Sequence, residues 1–140
     1  IINVFEKTKV LDYNELMLRK STLKHNYIQT VLLEADTMSE MFNKQILPAL
    51  NSLLMVNSVR KEGSNFVKER YEKLNKTIDE IFELDNKLLL EINKIKNNKI
   101  NNINNLILIM QKMRNAFNQT ELTIYDNLKP FPNYNDILFN

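Results

Sequence analysis

Apolar residues recur at helical spacing along most of the chain, and that rhythm predicts its elements. Asp12-Tyr13-Asn14-Glu15 places a capping acceptor three residues ahead of a Glu that can reach back, so a first long helix is predicted to start there. Its stripe runs through Leu16, Leu23, Tyr27, Val31, Ala35, Met38, Phe42, Ala49, Leu53 and Val56, widened by Met41, Ile46 and Leu54. The stripe crosses Pro48 without changing phase. Proline removes a backbone donor and crowds the preceding turn, so a kink over residues 44–48 is expected rather than a stop. The stop is expected at Gly63, the one residue able to take a left-handed cap without strain.

Ser64 can cap a second helix, whose inward positions alternate by four and three: Val67, Tyr71, Leu74, Ile78, Ile81, Asp85, Leu88, Ile92 and Ile95. That is a heptad seam. A third seam is predicted through Ile100, Ile103, Ile107, Met110, Arg114, Phe117, Glu121, Ile124 and Leu128. Between the two lies a tract with Asn at 97, 98, 101, 102, 104 and 105. Asn bonds readily to its own backbone, so the tract reads as the turn, although its low complexity equally fits compositional bias.

Helices of about 30 residues span roughly 45 Å, and short connections make neighbours antiparallel. The expected fold is all-α: an up-down antiparallel bundle of about three long helices with the first kinked at Pro48. A lead-in would occupy residues 1–11, the bundle 12–128 and a tail 129–140. In that tail Lys129-Pro130-Phe131-Pro132 must leave helix, and residues 133–136 can cap a final turn bearing Ile137, Leu138 and Phe139.

Composition agrees with this picture. A chain of 140 residues that is 44% hydrophobic suits one modest core. One Gly and three Pro leave few of the turn residues a sheet-rich fold consumes. Lys and Arg total 19 against 17 acidic residues, a net charge of +2 without a basic face, so no nucleic-acid partner is expected. Cys is absent, which excludes disulfides and thiolate metal sites and permits a cytoplasmic location. The chain opens on Ile1 with no basic-then-apolar leader, and its apolar runs fall well short of the roughly 18 residues a membrane span needs. It is expected to be a soluble piece of a longer protein, with no membrane partner.

Candidate chemistry is sparse. His25 is the single histidine, so a di-iron site built on two Glu-x-x-His pairs cannot form, and a structural role is favoured. Asp79 and Glu83 share a helix face beside Glu80 and could collect Mg²⁺, but Lys76 and Lys87 flank them and favour a solvated, ion-paired face. Asp85, Arg114 and Glu121 put charge where the seams call for apolar side chains. A buried Asp85–Arg114 pair that fixes register stands against simple exposure at a frayed part of the seam. Met38, Met41, Met55, Met110 and Met113 lie on or beside the stripes, where core packing is favoured over a promiscuous binding surface. The Asn-x-Thr triplets at Asn75 and Asn118 fall in helical stretches and are read as chance. With one Gly there is no phosphate loop, and no nucleophile can recruit a base beyond His25. No catalytic, cofactor-binding or metal-binding residue is assigned.

Three segments carry a resemblance. Val4-Phe5-Glu6-Lys7, Val10-Leu11 and Glu15-Leu16 form a lead-in. Glu34-Ala35-Asp36-Thr37-Met38 is followed by Met41 and by Gln45-Ile46-Leu47-Pro48-Ala49. The ending is Pro130-Phe131-Pro132-Asn133-Tyr134 with Asp136, Leu138 and Phe139. In order and spacing these are similar to the C-terminal region of type III glutamine synthetases, the middle segment most specifically. Lys129 departs from the aromatic residue usual there, and residues 64–128 match by position alone.

The resemblance implies a parent enzyme, a glutamate–ammonia ligase of nitrogen metabolism. It would use ATP and Mg²⁺ held by an upstream catalytic domain, with no cofactor in this chain. It further implies a packing or oligomer-assembly role, the partners being that upstream domain and neighbouring subunits of a homo-oligomer. Phe131, Tyr134, Leu138 and Phe139 in the tail, with Pro48 at the kink, are the candidate packing and interaction residues. The alternative is a free-standing helical protein–protein interaction module.

Overall fold

A computed structural model of the chain describes residues 12–59, 65–97, 103–121 and 124. Among them every regular element is helical: α1 (Tyr13–Met41), a π-helical turn (Phe42–Ile46), α2 (Leu47–Val59), α3 (Asn65–Lys96) and α4 (Asn104–Glu121). The all-α expectation holds. The chain divides into two units, Ile1–Glu34 and Ala35–Asn140. The expected lead-in, the Gly63 stop, the Ser64 cap and the whole tail lie outside the described residues.

In the first unit α1 starts where the capping signal sits, the Leu16 N–H donating to the Asp12 carbonyl at 2.9 Å. Glu15 does not reach back; it pairs with Arg19 one turn on, at 2.9 Å, while its charge suits the positive end of the helix dipole. Ser21 and Thr22 both donate to the Leu18 carbonyl, and Thr30 to that of Asn26, so these polar side chains are satisfied locally in mid-helix. The predicted stripe is not buried here. Leu23 is 69% exposed and Tyr27 55%, beside exposed Leu18 and Leu33, whereas Val31 and Leu32 are buried. Periodicity puts side chains on one face but does not supply anything to cover it.

The second unit holds the core, where Phe42, Leu50, Leu53, Ile81, Leu88, Ile92, Leu106 and Met113 are fully enclosed. Helix α3 packs on α2 and on α4. Asn43 meets Asp85 and Asp36 meets Lys96, so contacts that climb along α1 and the π turn descend along α3. The α3 seam is as predicted, with Leu74, Ile81, Asp85, Leu88, Ile92 and Ile95 buried and Val67, Tyr71 and Ile78 half-buried. Lys94 and Lys96 sit in its last turn, where positive charge suits the exposed carbonyls. Helix α3 ends at Lys96 and α4 starts at Asn104; the turn expected in the Asn-rich tract falls on residues 98–102, outside the described residues.

The α4 seam differs from its prediction at every second position. Ile103, Leu106, Met113, Thr120 and Ile124 are buried and Met110 and Phe117 half-buried, so the steps run three, four, three, four from Ile103. Ile107 is only half-buried, and Arg114 and Glu121 are exposed. The alternative phase would have buried two charges; turning the helix slightly puts Met113 and Thr120 inward instead. The Thr120 hydroxyl donates to the Phe117 carbonyl at 2.7 Å, which lets it lie in the seam. Ile124 donates its N–H to the Thr120 carbonyl at 3.1 Å.

This phase predicts that Met113→Ala lowers unfolding free energy by about 2–4 kcal/mol, whereas Arg114→Ala changes it by less than about 0.5 kcal/mol. Urea melts followed by circular dichroism give both values. A larger loss for Arg114→Ala would return the seam to its predicted phase.

Candidate functional site

The densest set of specific contacts surrounds the π turn. Pro48 has no N–H to give the carbonyl four residues back, and its ring crowds that carbonyl. The backbone widens just ahead of it, and the Leu47 N–H bonds to the Phe42 carbonyl five residues back. The wide turn aims Phe42 into the core, where its ring stacks on that of Phe117 with centroids 5.9 Å apart. Its neighbour Asn43 makes the polar contacts. The Asn43 amide donates to the Ser39 carbonyl at 2.9 Å and to Asp85 Oδ2 at 3.0 Å. Ser39 is buried too, and Asp85 is 3% exposed with its second oxygen, Oδ1, unpartnered. On the outer side of the turn Lys44 pairs with Glu40.

Two clefts flank α3. One of about 420 Å³ has Leu53 and Leu74 as its floor, with Arg70, Lys73, Thr77 and Thr120 among its walls. The Thr77 hydroxyl donates to the Lys73 carbonyl at 3.0 Å and that of Thr120 to the Phe117 carbonyl, so neither is set up as a nucleophile. The other, about 350 Å³ and more open, runs between α3 and α4 past Leu90, Leu108 and Ile109.

The residues singled out by sequence fall as follows. Pro48 is exposed on the outer side of α2; Phe131, Tyr134, Leu138 and Phe139 lie outside the described residues. The Asp85–Arg114 pair is not formed. Asp85 is buried, Arg114 is exposed, and the partner of Asp85 is Asn43, 42 residues away in sequence. Asn43 carried no signal of its own, because a polar residue beside an apolar stripe is ordinarily solvated. His25 is exposed on α1. Asp79 and Glu80 are exposed, and Glu83 pairs with Lys87 at 3.5 Å across one solvated turn. Met113 packs in the core and Met38 and Met110 are half-buried, but Met55 is 71% exposed, turned outward by the phase of α2. Among the described residues no three of His, Asp and Glu gather as a divalent cation would require. No helix among them is long and apolar enough to cross a membrane.

The Asn43–Asp85 contact leads to an asymmetric expectation. Asn43→Ala strands a buried carboxylate and should cost about 1.5–3 kcal/mol, whereas Asp85→Leu removes the charge and fills the seam and should be neutral or stabilising by about 1–3 kcal/mol. Chemical denaturation of the two variants distinguishes them, and equal losses would mean the carboxylate is solvated.

Comparison with known proteins gives one finding: residues 1–62 match the family model described as the glutamine synthetase C-terminal domain. The match takes in α1, the π turn and α2, including Glu34 to Met38 and Gln45 to Ala49. No curated protein matches the chain, and no solved structure does. Over residues 1–62, therefore, the chain is similar to the C-terminal domain of glutamine synthetases.

Proposed function

We propose that this chain is the non-catalytic packing and assembly part of a glutamine synthetase of the type III class. The parent joins ammonia to glutamate with ATP and Mg²⁺ in the cytoplasm. The chain's partners are the upstream catalytic domain and neighbouring subunits of a homo-oligomer. The observation that carries the reading is the apolar face on the first unit's part of α1. Tyr13, Leu23 and Tyr27 stand exposed on one side of the helix within the segment that matches the family, with Leu18 and Leu33 exposed elsewhere around it. Large apolar side chains gathered in water on a helix are the mark of a surface that another surface covers. The Phe131, Tyr134, Leu138 and Phe139 tail adds a second apolar segment to the same role.

A second reading, a free-standing interaction module, draws support from the α3–α4 groove with its exposed Leu90 and Leu108. The reading frame upstream of Ile1 separates the two, since a coding region for a glutamine synthetase core decides for the first. Within the full-length enzyme, Leu23→Glu with Tyr27→Glu is expected to lower oligomer mass in light scattering, or to cut glutamine formation by about ten-fold or more. Both substitutions lie on an exposed face, so the helicity of the chain itself stays unchanged. Deleting residues 130–140 is expected to act in the same direction. Unchanged mass and activity in both variants would overturn the reading.

A further inference from the structure

The π turn leaves α2 with two competing inward faces. The apolar rhythm continued through an unbroken α-helix turns Ala49, Leu53 and Val56 inward. In the structure Leu53 stays at the centre, but its flanks are Leu50 and Asn57, while Ala49 is half-buried and Val56 is 45% exposed. A turn that takes up an extra residue rotates everything after it by up to one position, which accounts for both displacements.

Neither face is satisfied throughout. The observed one encloses Leu50 where the other would enclose Ala49, which favours it. It also buries Asn57, 5% exposed, with an amide nitrogen that has no partner, and leaves Val56 in water, which favours the other. Among the described residues Asn57 Nδ2 and Asp85 Oδ1 are buried without hydrogen bonds, the first on the inward face of α2 and the second on the residue that holds Asn43. What ties the turn to its surroundings is the Asn43 amide, spanning the Ser39 carbonyl one turn back and Asp85 on α3.

We propose that the Phe42–Ile46 turn is a two-state element, π or α, and that the Ser39–Asn43–Asp85 latch, acting together with the missing donor of Pro48, holds it in the π state and so decides which face of α2 turns inward. The latch sets a register and does not rest on the parent's activity. In the α state Asn57 and Leu50 turn outward, Val56 and Ala49 turn in, and the outer surface of α2 changes from aliphatic Val56 and Met55 toward amide and leucine. A partner that reads that surface binds one state and shifts the population.

The chain has no native cysteine, so single cysteines report the register directly. Val56→Cys and Asn57→Cys are placed separately in the full chain and labelled with a maleimide. With the latch intact Cys at 56 should label about ten-fold faster than Cys at 57, as an open site against a protected one. Adding Asn43→Ala or Asp85→Leu should bring that ratio down at least about three-fold or reverse it, by shifting the population toward the α state. Lys44→Ala, on the outer side of the same turn, should leave it unchanged. Helicity by circular dichroism is followed throughout. If Asn43→Ala melts the chain and both sites label fast, Asp85→Leu, which keeps an apolar seam, gives the answer. A ratio preserved in the folded latch variants overturns the proposal.

Discussion

A proline inside a helix withholds one backbone hydrogen bond and pushes against the turn before it, and much of the second unit follows from how the chain absorbs Pro48. It widens by one residue in the preceding turn. The i to i−5 bond from Leu47 to Phe42 keeps the backbone paired, and α2 resumes with Pro48 as its second residue, where a missing donor costs little. That single adjustment aims Phe42 at Phe117 and Asn43 at Asp85, and carries Leu50 into the core. The aromatic contact ties the π turn to α4, and the amide–carboxylate contact ties it to α3.

Helix α3 is the element on which these contacts converge. Its four-and-three spacing runs unbroken from Val67 to Ile95, and it carries the one buried charge of the seam, Asp85. A buried carboxylate held by a neutral amide is a weak source of stability, and loss of that donor leaves it stranded. The ion pair between Lys96 and Asp36, 2.8 Å and half exposed, contributes orientation more than energy. Helix α4 adapts to this frame by placing Met113 and Thr120 inward and keeping Arg114 and Glu121 in water.

The matched segment and the helices beyond it carry different parts of the proposed role. The segment that matches the glutamine synthetase C-terminal domain holds both the exposed apolar face of α1 and the π turn. Helices α3 and α4, beyond that segment, supply most of the seam against which α2 is set. On the proposed reading the first offers the surface that docks and the second sets the phase of the helix that follows. The hydroxyls of the larger cleft are bonded to backbone carbonyls, and the acidic residues of α3's outer face stand in water with Glu83 paired to Lys87.

Sequence by itself determined the helical class, the start of α1 at Asp12, the whole α3 seam and the break at the Asn-rich tract. Each depends on neighbours within a few positions, through capping, residue spacing or backbone competition. It also placed a disturbance just before Pro48, since the missing donor is a local fact. Tertiary structure alone decided the rest. Spacing could not choose between the two phases of α4, because Ile103, Met110, Phe117 and Ile124 belong to both, and only the cost of burying Arg114 and Glu121 against a neighbour separates them. Nor could it pair Asp85 with Asn43, 42 residues away, or show that the wide turn brings in Leu50 and Asn57 in place of Ala49 and Val56. A periodic pattern defines a face on one helix; which face is buried is settled by the surface it meets, and that surface comes from distant parts of the chain.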